Sequence, residues 1–374
     1  VSPTADSPVS AVERSFYEAE FAGSTLVVAL SELDNPILVQ LRRVATSLQR
    51  TGAHLVVVTD LPRPGAGWAP MFGRALGDQP IVLDEPTTSE DSYHLADLWL
   101  AIADGRSVVV DAGGEPAVTV AGRIAASLRA RKLIVTDPDG GWGDPPRSFA
   151  DVEEPGLGIA AALADRRGGL VVPAIEAALA GGVLSVNLCR ARDLDRELFT
   201  FDGTGTLFTS GGYLRVEPLR VEDLPVVERL VAQGTTDGVL RPRGRREVAR
   251  LASTGLGARV LGGDHLAGIV SLETEPYRAE RMGEVACLYA VSRFSGAGAG
   301  GMLVDALVAG AGDRGLDAVF AVTVSDAAAG FFARKGFDEV AQDEVPAVKW
   351  SGYDEARRAR ARAFLRSTGR SDPA

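Results

Sequence analysis

The sequence predicts an α/β protein in two parts, an N-terminal α/β sandwich on a mainly parallel sheet and a C-terminal mixed α+β domain. Three observations lead there. Apolar strand-like runs alternate with amphipathic helical patterns through the first half. That rhythm changes near Thr209-Ser210-Gly211-Gly212. Beyond it a glycine-rich loop, SRFSGAGAGGML at 292–303, stands between a strand pattern and a helix pattern. At 374 residues the chain has room for two domains, and they are expected at 1–210 and 211–374.

The elements follow in order. After a polar start and a short helical stretch, LVVAL at 26–30 and LVVV at 55–58 flank the amphipathic ILVQLRRVATSLQ. SVVV at 107–110 and LIVT at 133–136 flank VAGRIAASLRA. This βαβ rhythm implies parallel strands with helices on both faces. The stretch 61–90, rich in Pro, Gly and Asp, reads mostly as loop. In the second part YLRVEPL begins a strand, EDLPVVERLVAQ a helix, and VLGGDHLAGIVSLETE a hairpin turning on Gly-Gly-Asp. GEVACLYAVS (strand), MLVDALVAGAGDRG (helix), AVFAVTVS (strand) and DAAAGFFARKGF (helix, then turn) follow, with a basic helix expected at 353–367.

Composition excludes several classes. A net charge of −11 lacks the basic footprint that nucleic acid requires. No apolar run is long enough to span a membrane, and a cytoplasmic location is expected. Cys189 and Cys287 sit in apolar strand-like runs and read as buried free thiols. His54, His94 and His265 are far apart, so no metal site and no histidine-based triad is expected. Only three of the 39 basic residues are lysine: Lys132, Lys335 and Lys349.

A glycine-rich turn that opens a helix offers unpaired backbone N–H groups and the positive end of the helix dipole to an anion. No Lys-Ser or Lys-Thr follows, so it is not a Walker loop, and the acidic ribose partner of a dinucleotide fingerprint is missing. Arg293-x-x-Gly296-x-Gly298 in this setting resembles the coenzyme A loop of the GNAT acyltransferases. ELFTFDGTGTLF at 197–208, IEAALAGGVLSVNLC, ARKLIVTD at 130–137, GVLRPRGRRE, GEVACLYAV and FFARKGF, with Pro346 and Tyr353, narrow the likeness further. They are similar to motifs of the N-acetylglutamate synthases, which join an amino-acid-kinase-like domain to a GNAT domain. The resemblance spans about residues 20 to 367.

It implies acetyl-CoA as co-substrate, main-chain contacts to its arm from Leu288, Ala290 and Val291, and a pyrophosphate cradle of Arg293, Gly296, Gly298 and Gly300. Glu284 would accept the proton of an amino-acid acceptor, with oxyanion donation from the backbone at Cys287 and Leu288; a salt-bridged strand-end carboxylate is the plainer reading of Glu284. Arg243 and Arg357 would clamp the carboxylates of the acceptor, L-glutamate first. Serines that the family carries beside them are Gly244 and Ala359 here, and Phe332 stands where many GNAT enzymes place a tyrosine acid. A related amino acid or specialised metabolite as acceptor, or a protein that senses CoA or arginine without turnover, are the rival readings. In the first domain the phosphate-binding lysine and glycine run of active kinases are replaced by Ala29-Leu30-Ser31-Glu32 and Val58-Thr59-Asp60-Leu61, so phosphoryl transfer is expected to be lost. That domain is read either as an oligomerisation scaffold, which would make the protein a homo-oligomer, or as an arginine sensor with Glu197 and Gly205 among its contacts.

Overall fold

The computed structural model describes residues 9–62, 68–76, 80–84, 92–154, 158–261, 265–295 and 298–368. The chain divides into two compact units, Val1–Tyr213 and Leu214–Ala374.

In the first unit α1 (Ala11–Phe21) precedes β1 (Thr25–Leu30), α2 (Asn35–Gln49), β2 (His54–Thr59), α3 (Trp68–Leu76), β3 (Ile81–Asp84), α4 (Ser92–Ala103) and β4 (Val108–Asp111). Then come α5 (Ala117–Leu128), β5 (Lys132–Thr136), β6 (Phe149–Asp151), α6 (Ile159–Ala162), α7 (Val171–Ala180), β7 (Ser185–Cys189), α8 (Leu194–Phe199) and β8 (Thr206–Thr209). The eight strands form one sheet in the order β3-β4-β2-β1-β5-β7-β8-β6, in which only β7 and β8 pair antiparallel. Central strands are buried on both faces, which is why they read as unbroken apolar runs. Val27 and Ala29 of β1, with Val56 and Val58 of β2, face the cluster that α5 and α7 complete; the alternate residues Leu26, Val28 and Leu30 are equally buried. The helix α2 starts where the Asp34 carboxylate accepts the Ile37 N–H at 2.9 Å, with Pro36 in the first turn. Within the stretch 61–90, read mostly as loop, the described residues include a helix and a strand, α3 and β3. Trp68, Phe72 and Leu76 are buried at i, i+4 and i+8, which offsets the local cost of Pro and Gly.

The second unit runs β9 (Leu214–Pro218), α9 (Leu224–Thr236), α10 (Arg245–Ala252), β10 (Leu256–Val260), β11 (Leu266–Glu273), β12 (Met282–Ala290), α11 (Ser292–Ser295) and α12 (Ala299–Asp313). It ends with β13 (Ala318–Thr323), α13 (Asp326–Arg334), β14 (Asp338–Val340), α14 (Glu355–Arg360) and β15 (Arg362–Ser367). The seven strands are ordered β14-β15-β13-β12-β11-β10-β9. All pair antiparallel except β12 with β13. The Gly-Gly-Asp turn between β10 and β11 lies outside the described residues. The basic helix expected at 353–367 is corrected. Only Glu355–Arg360 is helical, and Arg362–Ser367 is a strand paired with β13 on one side and β14 on the other. The helix stops because burying Ala361, Ala363 and Phe364 in the sheet outweighs the helical preference of an Ala/Arg run.

Candidate acyl-transfer site

The site is built on β12. Its β-branched and aromatic residues suit a strand, and it pairs with β11 along most of its length. With β13 it pairs only at Met282, Gly283 and Glu284. Beyond Glu284 the two parallel strands part. The ladder to β11 is also irregular between Ile269 and Ser271, where Cys287 takes a left-handed backbone conformation (φ 53°), the mark of a bulge. Gly268 lies opposite Ala290, and a Cβ there would stand 2.8 Å from the Tyr289 carbonyl oxygen. A side chain at 268 would therefore press on the strand just past the bulge.

Where β12 ends, α12 begins. Gly298, the residue before this 15-residue helix, is left-handed (φ 73°) and has no side chain of its own to cap the first N–H groups. A cavity of about 840 Å³ runs between the parted strands, lined by β12 from Glu284 to Ala290, by Gly298, Gly300 and Gly301, and by Thr323, Phe331 and Phe332. That volume falls within the range of small-molecule sites. A helix N-terminus opened by glycine beside an open strand edge suits a ligand with a phosphate head and an amide-bearing arm. Acetyl-CoA has that form, and it would bring the activated acyl group. At the loop end Arg334 and Lys335 line the wall, and Lys335 Nζ lies 2.6 Å from Asp305 Oδ2.

At the deep end Glu284 is 8% exposed. Its Oε2 accepts the Tyr277 hydroxyl at 2.5 Å, and its Oε1 accepts from Lys349 Nζ. Burial first, and the charge of Glu284 second, push the Tyr277 hydroxyl far above its ordinary range, so it serves as a donor. Burial likewise raises the Cys287 thiol, against the opposing pull of Arg243. Cys287 is thus a neutral wall residue, not a nucleophile. The opposite wall is the segment after α9: Asp237 Oδ2 accepts the Tyr289 hydroxyl at 2.8 Å, tying that segment to β12. Arg243 and Arg357 both line the cavity. Arg243 is largely buried with Nε 3.3 Å from Glu247, and Arg357 lies over the Tyr353 ring at 5.1 Å.

Of the expected residues, Glu284, Cys287, Leu288, Ala290, Gly298, Gly300, Arg243 and Arg357 line this one cavity. Val291 and Arg293 do not. The Val291 N–H donates to the Ala267 carbonyl, and its own carbonyl accepts from Phe294 N–H; Arg293 is buried. Gly296 lies outside the described residues. Tyr277 and Lys349 were missed. The sequence carried only the scarcity of lysine; that two of the three lysines line this one cavity is seen in the fold.

In the first unit Glu197 and Gly205 do lie together, but Glu197 is fully buried. Its Oε2 accepts the Thr204 and Gly205 N–H groups at 2.6 and 2.7 Å, and its Oε1 accepts from Asn187. The carboxylate closes the Thr204-Gly205 turn, where a Cβ on Gly205 would strike the Leu188 carbonyl oxygen. Among the described residues no group of three or more His, Cys, Asp or Glu could hold a metal ion, and no helix is long and apolar enough to cross a membrane.

Comparison with known proteins agrees with this geometry. The pattern of the Acetyltransferase (GNAT) family matches residues 237–337. An amino-acid acetyltransferase of Neisseria meningitidis serogroup A is 27% identical over 243 residues, covering 62% of this chain and 53% of the relative. One from Azotobacter vinelandii is 29% identical over 257 residues, covering 64% and 56%. The chain spans about half the length of these relatives. The structure of N-acetylglutamate synthase from Neisseria gonorrhoeae complexed with coenzyme A and L-arginine superposes with a TM-score of 0.54 at 20% identity, over 95% of this chain and 97% of that one. The second unit therefore carries a GNAT acetyltransferase domain, and the likeness to the N-acetylglutamate synthases read from the motifs holds for the fold.

Proposed function

We propose that the protein transfers an acetyl group from acetyl-CoA to the α-amino group of an amino acid, with L-glutamate as the acceptor. The observation that carries this is the parting of β12 from β13 just past Glu284, with the glycine-led start of α12 lining the same cavity. A thioester laid along that opening has its phosphates at the glycines and its carbonyl near a buried carboxylate. In the reaction the acceptor nitrogen bonds to the acetyl carbon, the C–S bond breaks, and the amine proton passes to Glu284. Phe332 has no proton to give, so the thiolate takes its own from water. Arg243 and Arg357, on two different walls, offer forks for two carboxylates, as a dicarboxylic acceptor needs.

The resemblance extends this reading to regulation. Arginine would act through the first unit, which would also carry the contacts of a homo-oligomer. The buried, internally bonded Glu197 favours a turn-closing role for that residue whichever effector binds.

Thiol release from acetyl-CoA across a panel of amino acids tests the activity, with the acetylated product identified by mass. Glutamate should head the panel. Arg243→Ala and Arg357→Ala should each lower kcat/KM for glutamate by about thirtyfold or more, the loss of a charge-assisted hydrogen bond of about 2 kcal/mol. Acetyl-CoA binding should stay close to wild type. Full activity in both variants, with another amine preferred, would remove glutamate and leave the GNAT domain in place.

A further inference from the structure

We infer that Lys349 is the positioning residue of the acyl-transfer site, holding the Glu284 carboxylate ionised and fixed at the cavity wall. This rests on the reading of Glu284 as proton acceptor. Two donors converge on that carboxylate, and neither comes from its own strand. Tyr277 approaches from the turn at Glu275–Tyr277 and Lys349 from the turn at Ala347–Gly352. Both turns are anchored. Trp350 is buried, donates its Nε1–H to the Gln342 carbonyl at 3.0 Å, and packs in one apolar cluster with Tyr277 and Phe320. The ammonium is therefore delivered from a fixed backbone, and it lies 5.4 Å from the centre of the Tyr353 ring.

The surroundings make the cation necessary. Glu284 is buried, and Glu273 stands opposite it across the β11–β12 ladder. Glu273 is itself paired with Arg250 at 2.5 Å. The remaining charged or titratable groups nearby are Tyr277, Tyr353 with Arg357 on its ring, and Cys287 with Arg243 beyond it. Among the described residues Lys349 is the cation paired with Glu284. Without it a desolvated carboxylate facing another carboxylate favours its protonated form, and a protonated Glu284 cannot take a proton from an amine. The lysine works through Glu284, so its loss should show in kcat and in the pH profile before it shows in acetyl-CoA affinity.

The test compares full-length wild type with Lys349→Met and Lys349→Arg. The Glu284 carboxyl is followed by carbon-13 NMR across pH, its signal assigned by loss in Glu284→Gln. The expected result is a titration midpoint at least about one pH unit higher in Lys349→Met and close to wild type in Lys349→Arg, one unit being a tenfold change in the protonation equilibrium. In acetyl transfer, Lys349→Met should lose about tenfold or more in kcat, with the acid limb of kcat/KM moved to higher pH and acetyl-CoA Kd unchanged. Lys349→Arg should restore most of both. A Lys349→Met midpoint equal to wild type overturns the inference, as does an unshifted acid limb. Because the NMR titration needs no acceptor, a wild type that acetylates nothing would end the functional reading and still leave the role of Lys349 decided.

Discussion

Two glycines two residues apart show how much the backbone decides at a single position. Gly298 is left-handed, so any side chain there is strained whatever space surrounds it. Gly300 has no such conformation, and a Cβ on it would meet nothing nearer than the Phe331 ring at 3.7 Å, yet it lines the cavity. Gly300→Val is therefore the cleaner test of the cradle. It should weaken acetyl-CoA binding by about tenfold or more in calorimetry, equal to about 1.4 kcal/mol, while the melting temperature stays within about 2 °C of wild type, the shift expected for a surface change. Unchanged binding in a folded Gly300→Val would remove the cradle. At this scale most of the site was legible. The loop glycines, Glu284, Arg243 and Arg357 sit in motifs with fixed spacing, and all but Gly296, which lies outside the described residues, line one cavity. What spacing could not carry was Tyr277 and Lys349 meeting at Glu284, because the three lie on separate segments and only the fold joins them.

Whole elements were legible where one period ruled. The unbroken apolar runs of β1, β2, β4 and β5 could be read directly, since strands buried on both faces leave no polar side. The strand β15 was not, because Ala and Arg favour helices locally. The alternation Arg360-Ala361-Arg362-Ala363, with both alanines buried, is nonetheless a period of two. Pairing on both sides settles the contest for the strand. Packing between elements also carries a pH dependence. Asp223, just before α9, meets Arg259 of β10 at 2.8 Å, both buried. Burial works to raise the Asp223 carboxyl, but its bonds from Arg259 and the Arg220 N–H outweigh that and hold it below the usual range. A carboxyl depressed on folding stabilises the fold above its unfolded value, and that contribution is lost as pH falls through the folded value. Asp223→Asn should thus destabilise the second unit by about 3 kcal/mol at neutral pH, where Arg259 keeps only the longer contact to Glu217 at 3.5 Å. The gap to wild type should narrow below about pH 4. Trp350, the second unit's single tryptophan, reports this in urea unfolding. A gap that is constant with pH would mean that the charge of Asp223 contributes nothing.

At the scale of the whole molecule, the first unit has a mainly parallel sheet with carboxylates at the ends of several strands. Strands β2, β4 and β5 end in or just before an aspartate, and each of these three aspartates is already engaged. Asp60, after β2, accepts the Ala117 N–H at 2.9 Å at the very start of α5, and Ser31 lies 3.3 Å from the same oxygen. Asp111, ending β4, accepts from Trp68 Nε1–H and Gly113 N–H. Asp137, after β5, is bound by Arg166 at 2.6 Å, with Arg167 at 3.5 Å. Ligands of open parallel sheets bind at this end of the strands, and phosphates there call for fixed cations and free backbone N–H groups. Here the helix start is capped by a carboxylate and the nearby guanidinium pair is held by another, and the resemblance read from the motifs puts Ala29 in the place of a kinase's phosphate-binding lysine. Like charges about 4 Å apart cost about 1 kcal/mol even in water and several in a partly buried site, so a nucleotide triphosphate meets repulsion where a kinase offers attraction. The expected outcome is no ADP from ATP and magnesium with either glutamate or N-acetylglutamate, followed by a coupled ADP assay and by phosphorus-31 NMR. ADP formation that scales with protein concentration and requires the amino acid would show that the aspartates at these strand ends do not exclude phosphates, and that phosphoryl transfer survives in this unit.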